Sequence, residues 1–565
     1  MLFDEIWERI SAKIERTAQS QVTDAMAGYV LIAREDAAKM LRRCLGDEYL
    51  AYLLNARSAK EIPKLMGDLP RSQLQMLTEV MVLATPVLLE NPDYSTLPGA
   101  FCCPHGVGVP LQNHFRMLNG GVGLSGEPTG DKLVDHMQKD AALIFPTLSM
   151  LEWGDCRDSG SRFQRLYNYY VETEEDFTAL FSRELIAAGW DEQLEEEDTW
   201  SSNEALCVTT TMYPIIPVPM LGVKQALLSR AFYGANTLDY RNGCGRLRDS
   251  VRDSIDALRA MLSGEEVDVP ALIVLEGVKP SEDEPIQLED GLLRPPTDYE
   301  LRMVLPRGLE SPLVFVSRLS ERLLDLCPSG QVFRDDASKL GEKMDMYYKH
   351  AGKPEWYKFS TETTTRLQMA ILLASDERNP AIARMRGFWL GSPIIPMNIQ
   401  YSEKERGFAP WELKVGERFN SDRVVVWYKA IFDTGLPEAT MHRIITAFSG
   451  RGKPLDSVVD LLIALESLLG SSTEISFKLS LFVAKLLHPN DANGRTRTFE
   501  LVKEAYDVRS TTVHGGNVNH KKHDEAQILS ELCAVVVQLV RVLLSERRDL
   551  LELTPQKRAI RVTLE

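Results

Sequence analysis

The sequence predicts a multidomain, mainly α-helical protein with an α-helical N-terminal region, a mixed α/β middle region and a C-terminal helical bundle. Three observations lead to this prediction. Apolar positions recur at helical spacing through much of residues 1–265. Short runs of branched apolar residues, divided by proline and glycine, mark residues 266–430 as strand-rich. Several helical patterns then follow one another over residues 431–555, as in a helical bundle.

In the N-terminal region the order is helix, connection, helix. Residues 96–130 are rich in glycine and proline and indicate an irregular connection, and Glu195–Asp198 is an acidic loop. No catalytic constellation stands out before residue 430, so we expect a regulatory or sensing role there, with a trigger ligand or protein bound by residues 1–430. The helical patterns cover Leu2–Thr17, Ala25–Leu45, Leu74–Leu89, Lys132–Met150, Arg162–Ala188 and Val223–Leu262.

The sequence pattern changes at Val267, from helical periodicity to short runs of branched apolar residues. One helical stretch, Thr361–Ala374, interrupts a series of short runs that are typical of strands. The strand-like runs read ALIVLEGV, PIQLEDGLLR, YELRMVL, PLVFVSRL, WLGSPIIPMNIQ and SDRVVVWYKAIF.

In the C-terminal region, four segments have helical patterns: Ser457–Leu469, Ile475–Leu487, Phe499–Val508 and Asp524–Leu553. Glu466 lies in the first of them. At about 100° per residue it falls off the polar stripe of that helix and among apolar positions. A carboxylate in such a place needs a partner or a task, so Glu466 either forms a structural ion pair, for example with Arg509, or takes part in a site.

Arg509 and His514 are separated by four residues in the segment YDVRSTTVHGG. An imidazole can move a proton near neutral pH. A guanidinium can hold a phosphate through two parallel hydrogen bonds and stabilise the charge of its transition state. Without further context, Arg509 and His514 would be an ordinary helix-end arginine and a C-terminal cap.

The order LLIALESLLGSSTEISFKLSLFVAKLL followed by ELVKEAYDVRSTTVHGG resembles the Apea-like branch of the HEPN superfamily, over roughly Pro437–Leu553. The resemblance implies a C-terminal HEPN-like helical bundle that dimerises and brings two Arg–His motifs together. It further implies a metal-independent endoribonuclease of bacterial defence or toxin systems, with Arg509 and His514 catalytic and Ser510 as a polar helper. Some HEPN domains are inactive, so the alternative is a non-catalytic module that binds RNA or assembles a complex.

The mechanism that the resemblance implies needs no metal and no cofactor. The 2′-hydroxyl of RNA attacks the neighbouring phosphate, and the products are a 2′,3′-cyclic phosphate and a 5′-hydroxyl. DNA lacks that hydroxyl and should be spared. We therefore expect RNA as a partner. His520, Lys521 and Lys522 could contact its phosphates, or they could belong to a solvated loop.

Charge and composition limit the classes of protein. The formal net charge is −17, which argues against broad coating of nucleic acid. Residues 481–565 hold 13 Lys and Arg against 11 Asp and Glu, so the rest of the chain carries 51 minus 70, or −19. The N-terminal segment lacks the pattern of a signal peptide, and Leu532–Leu544 is too short and too polar to span a membrane. We expect a cytoplasmic protein with reduced cysteines and no membrane contact.

The homodimer should form through the C-terminal bundle. One apolar stripe on its last long helix offers either a seam between subunits or the core of a single bundle: Ile528, Leu532, Val535, Val536, Leu539 and Leu543.

Three other motifs are weak. HPNDANGRTR, from His488 to Arg497, is similar to the loop of Fic-type transferases but has the wrong spacing, and a turn between helices explains it. GVGLSG, from Gly121 to Gly126, lacks the strand and helix that a dinucleotide site requires. Cys102, Cys103 and His105 are too few to complete a zinc site.

Overall fold

We describe the fold from a computed structural model of the chain. The structure describes residues 34–70, 72–74, 77, 101, 110–124, 126–150, 175–190, 205–213, 215–305, 309, 311–328, 354–376, 380–396, 400–401, 417–449, 453–469, 475–513 and 524–565. Within these ranges the protein is mainly α-helical and contains antiparallel sheets, as the sequence predicts for the class.

The N-terminal region contains eight described α-helices and two strands. The helices are α1 Arg34–Leu45, α2 Asp47–Leu53, α3 Ile62–Asp68, α4 Leu111–Leu118, α5 Lys132–Ile144, α6 Glu175–Ala187, α7 Met220–Ala235 and α8 Tyr240–Leu262. The strands are β1 Ala205–Thr210 and β2 Ile216–Pro219. The segments Leu2–Thr17 and Glu195–Asp198 lie outside the described residues.

One prediction for this region is wrong. Helix α4 lies within residues 96–130, where glycine and proline led us to expect no regular structure. The helical pattern Val223–Leu262 is confirmed as two helices, because α7 ends at Ala235 and the left-handed φ of 44° at its cap, Asn236, separates it from α8. The strands β1 and β2 have no counterpart among the predicted elements, since both are too short for a clear alternation.

The middle region contains nine described strands: β3 Val267–Glu276, β4 Lys279–Pro280, β5 Ile286–Leu288, β6 Gly291–Arg294, β7 Leu313–Glu321, β8 Leu323–Pro328, β9 Arg384–Leu390, β10 Gln400–Tyr401 and β11 Arg418–Phe419. Six of them form an antiparallel sheet in the order β10-β9-β3-β7-β6-β5. Strand β3 is its centre and pairs along its length with β7, from Val267 opposite Glu321 to Leu275 opposite Leu313. Strand β11 pairs with β4 in a separate two-stranded sheet.

Three of the six strand-like runs are confirmed: ALIVLEGV lies in β3, PIQLEDGLLR forms the hairpin β5–β6, and PLVFVSRL lies in β7. The predicted helix Thr361–Ala374 is also confirmed, as a π-helical turn, Lys358–Thr363, that continues into α10, Thr364–Ala374. A short helix, α9 Glu355–Tyr357, precedes it. WLGSPIIPMNIQ reaches only the end of β9 and the start of β10.

YELRMVL is not a strand. It forms the π-helical turn Glu300–Val304, because the fully buried Glu300 accepts two hydrogen bonds from Arg294, at 2.7 and 2.8 Å, and one from the backbone N–H of Thr297. The ion pair closes the turn. Arg294 and Glu300 belong to two separate strand-like runs, so neither run by itself indicated that they pair.

SDRVVVWYKAIF is a helix, α11 Ser421–Thr434, rather than a strand. The side chain of Asn420 accepts a hydrogen bond from the backbone N–H of Arg423 at 2.8 Å and caps the first turn. Val424, Tyr428 and Ile431 are buried at helical spacing. The run of three valines suggested a strand. However, Val425 and Val426 are exposed, so burial in a sheet does not offset the stability that the helix gains from its cap.

Helical layers cover both faces of the six-stranded sheet. On one face, Tyr233 of α7 packs against Trp389 of β9 with ring centroids 4.4 Å apart. On the other, Phe315 of β7 contacts Phe359 and Tyr428, each at 6.4 Å between centroids. Near-continuous burial of β3 follows from this arrangement, because both of its faces are covered.

The boundary at 265/266 falls between α8 and β3, but a second sheet crosses it. Strand β1 pairs with β2 and, on its other side, with β8, in the order β2-β1-β8. Residues before and after the boundary therefore share one sheet. The boundary at 430/431 falls inside α11.

The C-terminal region is a helical bundle by its described elements: α12 Glu438–Phe448, α13 Pro454–Leu469, α14 Ile475–Leu487, α15 Ala492–Val513, α16 Glu525–Ser545, α17 Arg548–Leu551 and α18 Pro555–Leu564. Helix α16 packs against α13, α14 and α15 and forms the centre of the bundle. Two of the four predicted segments match closely, whereas α15 begins before Phe499 and ends beyond Val508. The fourth, Asp524–Leu553, ends as a long helix at Ser545.

The middle region and the bundle are joined by polar contacts. Arg541 of α16 is buried and donates hydrogen bonds to the carbonyl oxygens of Leu373, at 2.8 Å, and Ser375, at 2.9 Å. These carbonyls lie at the C-terminal end of α10, where helices leave such acceptors unsatisfied. Tyr428 of α11 donates to Asp290 Oδ1 of the β5–β6 turn at 2.6 Å.

Candidate functional site

Helix α15 carries the candidate arginine. It starts after Asp491, whose carboxylate accepts a hydrogen bond from the backbone N–H of Asn493 at 3.0 Å. Arg495 Nη1 donates to the carbonyl oxygens of His488 and Pro489 and holds the turn before the helix. The segment that is similar to a Fic loop is therefore the cap and first turns of α15.

Arg509 lies near the other end of α15, next to Glu466 of α13. Its Nη1 donates to Glu466 Oε1 in a short ion pair, and both side chains are about one-quarter exposed. Tyr506, one turn earlier, donates its hydroxyl to the same carboxylate oxygen at 2.7 Å. The guanidinium carbon lies 5.7 Å from the centre of the Tyr506 ring. Glu466 thus contacts Arg509 from the neighbouring helix, and the predicted pairing of these two side chains is present.

The phenol of Tyr506 stays protonated near neutral pH and can donate to Glu466. Burial first, and then the hydrogen bond to Glu466, raises the pKa of Tyr506 above its ordinary value. Tyr506 and Arg509 therefore both direct donors at Glu466 Oε1, and this network fixes one nitrogen of the guanidinium fork. The hydrogen bond from Arg509 to Glu466 is made by Nη1.

Tyr506 had no place in the predicted site. The signal was present, since a tyrosine three residues before an arginine on a helix lies on the same face. Its role became visible only through Glu466, which is 40 residues away in the chain.

The other predicted site residues divide into two groups. Ser510 is exposed on the last turns of α15, one position beyond Arg509. His514, His520, Lys521 and Lys522 lie outside the described residues. The structure thus brings Arg509, Glu466 and Tyr506 together and describes the helix that leads to His514.

The apolar stripe of α16 is the core of one bundle. Ile528, Leu532, Val536, Leu539 and Leu543 are at most 5 % exposed within a single chain. Val535 is partly buried against the same core. Of the two roles predicted for the stripe, the core of a single bundle is the one that these residues occupy within one chain. Among the described residues, α16 is also the one helix that is long and apolar enough to cross a membrane, and 67 % of its apolar window is buried inside the protein.

The remaining weak motifs gain no support. Gly121 follows α4 and a turn rather than a strand, so GVGLSG lacks the first element of a dinucleotide site. Cys102, Cys103 and His105 lie outside the described residues. In the ranges that the structure does describe, no three His, Cys, Asp or Glu side chains form a group that could hold a metal ion.

Comparison with known proteins adds no neighbour, since no protein-family model, curated protein or solved structure matches this chain.

Proposed function

We propose that the protein is a metal-independent endoribonuclease of HEPN type, with Arg509 and His514 as its catalytic pair. The observation that supports this most is the anchored guanidinium. Arg509 is held by Glu466 and Tyr506 near the end of α15 and is partly exposed. His514 follows five positions later in the sequence and could act as the base. The helices that carry Arg509, Tyr506 and Glu466 belong to a helical bundle, which is compatible with the resemblance to HEPN domains.

The reaction uses the nucleophile that RNA carries. His514 removes the proton of the 2′-hydroxyl, whose oxygen attacks the adjacent phosphorus and displaces the 5′-oxygen. Water, or the partner subunit's His514 in a homodimer, protonates the leaving oxygen. Arg509 stabilises the non-bridging oxygens of the phosphorane. The products are a 2′,3′-cyclic phosphate and a 5′-hydroxyl end.

Glu466 acts as a positioning residue in this scheme. By accepting hydrogen bonds from Tyr506 and from Nη1 of Arg509, it restricts the rotamers of a long side chain. The other guanidinium nitrogens then face a phosphate in a prepared orientation, which lowers the entropic cost of binding it.

A second candidate is a non-catalytic HEPN module that binds RNA or assembles a complex. The ion pair favours it, because a carboxylate in contact with Arg509 reduces the positive charge available to a phosphate. In this version Arg509 is a structural side chain that joins α15 to α13.

The proposal extends to the whole chain. A cytoplasmic homodimer joined through the bundle would hold the two Arg–His pairs close together, and residues 1–430 would receive the trigger that controls cleavage in bacterial defence. Since the apolar stripe of α16 is buried inside one bundle, the subunits must meet through another face.

The test is cleavage of single-stranded RNA by the purified full-length protein in EDTA. We expect the wild type to give 2′,3′-cyclic phosphate ends and to spare DNA of the same sequence. His514→Ala should lower the rate at least about 100-fold, the usual contribution of a general acid–base group. Arg509→Lys should also lower it, because an ammonium cannot form the two parallel hydrogen bonds.

Arg497→Ala is the matched control, since it removes an exposed arginine from the same helix. It should leave the rate unchanged. If His514→Ala, with the circular dichroism spectrum of the wild type, cleaves as fast as the wild type, the nuclease proposal is wrong. RNA binding without any cleavage would favour the non-catalytic module.

A further inference from the structure

Two cysteines stand opposite each other in the sheet that joins the N-terminal and middle regions. Cys207 of β1 and Cys327 of β8 are direct partners in the register of this antiparallel pair. More than a hundred residues separate them in the chain, so only the tertiary structure brings them together. The register around them is unbroken, and its shift lies further along, between Thr209 and Thr210.

The register by itself sets the distance between these two positions. Directly opposite Cα atoms of an antiparallel pair are about 4.5 or 5.5 Å apart, depending on whether the two residues exchange hydrogen bonds. A disulfide spans Cα atoms that are about 4.4–6.8 Å apart. Opposite Cβ atoms lie about 4.5–5.5 Å apart, and a disulfide holds them at about 3.5–4.5 Å, so they approach by about 1 Å when the bond forms. A disulfide can therefore join Cys207 and Cys327 without a change of register.

The other cysteines whose side chains the structure describes have different surroundings. Cys244 lies inside α8 and donates a hydrogen bond to the carbonyl oxygen of Tyr240 at 2.9 Å. Cys533 is buried in α16, at the centre of the bundle. Burial raises the pKa of both thiols, which makes them poor nucleophiles near neutral pH. Cys244 and Cys533 therefore serve as internal references for the cysteines of the sheet.

Access to the pair depends on β8. Cys207 is 1 % exposed, so an oxidant does not reach its sulfur atom while the sheet is closed. Strand β8 is the edge of the sheet β2-β1-β8, is six residues long, and has Cys327 next to its last residue. The end of a short edge strand opens at a lower free-energy cost than the unfolding of the whole protein. Opening of this end admits the oxidant, and reclosing returns the two cysteines to register.

We propose that Cys207 and Cys327 form a reversible disulfide and are a modification site for a low-molecular-weight disulfide such as oxidised glutathione. The thiolate of one cysteine attacks a sulfur atom of the small disulfide, whose S–S bond breaks and whose other half leaves and takes up a proton. The thiolate of the second cysteine attacks the protein sulfur of this mixed disulfide and releases the remaining half. Two protein thiols are oxidised, the small disulfide is reduced by the same two electrons, and the two thiol protons end on the two released thiols.

The disulfide fixes the N-terminal region to the middle region. Strand β1 precedes the boundary at 265/266, and β8 follows it and comes directly after β7 of the six-stranded sheet. A covalent bond that closes a loop of more than a hundred residues restricts the states in which the two strands are apart. Reducing conditions break the bond again, as is typical of redox-sensing disulfides in the cytosol. Its formation does not involve RNA, so this site goes beyond the proposed function.

The test detects the bond directly in the full-length protein, starting from the reduced form. The protein is incubated in buffers with a rising ratio of oxidised to reduced glutathione, free thiols are blocked with iodoacetamide, and trypsin is added without a reductant. Tryptic peptides 184–224 and 323–334 contain one cysteine each, so their linked form identifies the bond between Cys207 and Cys327. We expect this linked form in the folded protein and its loss after dithiothreitol. Amide hydrogen exchange in β1 and β8 should be at least about tenfold slower in the oxidised protein.

Single variants identify the cysteines responsible. Cys207→Ala and Cys327→Ala should each abolish the linked peptide and the change in hydrogen exchange. Cys244→Ala and Cys533→Ala are the matched controls and should leave both unchanged. Because the linked peptide is detected in the wild type, a variant that fails to fold does not protect the proposal from refutation.

Three results in the folded wild type would overturn the proposal. They are unmodified Cys207 and Cys327 in the most oxidising buffer, mixed disulfides with glutathione that do not proceed to the link, and a link from either residue to a different cysteine. A link that forms only in urea would also overturn it, because the register of the native sheet would then play no part. Each result stands whether or not the protein cleaves RNA.

Discussion

A carboxylate beside a guanidinium weakens the attraction that an incoming phosphate feels, and Glu466 stands in this place beside Arg509. The same carboxylate also removes the freedom of a long side chain, so its two effects on a phosphate site oppose each other. Because both side chains are about three-quarters buried, solvent screens the charge effect only in part, and both effects act on a phosphate at this place. Measuring cleavage and RNA binding separately therefore decides which of them dominates.

Glu321 is the residue at which pH should act on stability. It is fully buried at the end of β7, and burial raises its pKa from the ordinary 4.5 to about 7. Hydrogen bonds from Ser392 and Thr210, with the charge of Arg230, oppose that shift but do not cancel it. A carboxyl group with a raised pKa in the folded state contributes stability that is present below pH 4.5 and is lost as pH rises through about 7.

We therefore expect wild-type stability to fall by about 3 kcal/mol, as an order of magnitude, between pH 4.5 and pH 8 through this group. Glu321→Gln should lack that part of the loss, because an amide does not ionise. Urea unfolding at several pH values measures the difference. Glu266→Gln, at an exposed glutamate, is the control and should follow the wild type. Parallel pH profiles for Glu321→Gln and wild type would contradict the assignment.

At the scale of single elements, helix ends decide structure that composition obscures. Helix α11 contains three consecutive valines, which favour strands, yet it is closed at one end by Asn420 and at the other by Gly435. Gly435 has φ 61° and ψ 43°, and its N–H donates to the carbonyl oxygen of Ile431 at 3.1 Å. This left-handed conformation suits glycine because it has no Cβ atom.

Gly435→Ala should lower the free energy of unfolding by about 1 kcal/mol. A Cβ atom at this position meets nothing within 4 Å, so the loss comes from the backbone alone. Gly245→Ala should instead raise the free energy of unfolding. Gly245 lies inside α8, and a Cβ atom there also meets nothing within 4 Å, so the better helix propensity of alanine should add roughly 0.5–1 kcal/mol. Thermal or urea unfolding of the two variants, compared with wild type, measures both. A shift in the same direction for both would contradict this account.

At the scale of the whole molecule, the six-stranded sheet lies between helices of the N-terminal region and helices that lead into the bundle. Arg541 ties the bundle to α10, and Tyr428 ties α11, the helix that leads into the bundle, to the β5–β6 turn. A structural change in the middle region can therefore reach α16, and α16 packs against α15, which carries Arg509. This contiguous route could carry the control by residues 1–430 that we propose.

We expect residues 1–430 to restrain cleavage, partly because the chain before residue 481 carries −19 and repels RNA. A fragment that starts at Ala430 would cut α11 in half, so the fragment for this test should start at Asn420, the cap of that helix. It should cleave RNA faster than the full chain, and the difference should shrink as salt rises from about 0.05 to 0.5 M.

Circular dichroism and light scattering establish that the Asn420 fragment folds and has the same oligomeric state as the full chain. If it does and still cleaves more slowly, residues 1–419 recruit RNA and do not restrain the site. If the difference in rate is independent of salt, the restraint is steric or conformational rather than electrostatic.

The sequence by itself determined the class of the protein, the bundle helices near the candidate site and the central strands β3 and β7. These elements can be predicted from local sequence. Helical or strand periodicity over ten or more residues indicates a buried face, regardless of which element packs against that face. The spacing of Arg509 and His514 can be read directly from the sequence. Helical periodicity also shows that Glu466 is a carboxylate among apolar positions.

Only the tertiary structure decided what those faces and polar groups meet. It shows that Glu466 contacts Tyr506, that the stripe of α16 lies inside one bundle, and that β1 pairs with β8 across more than a hundred residues. It also shows that Glu300 and the valines of α11 lie in helical turns rather than in strands. Each depends on contacts between distant segments, or on a cap or ion pair whose free energy exceeds a weak local preference. Periodicity carries no information about which distant residue supplies such a contact.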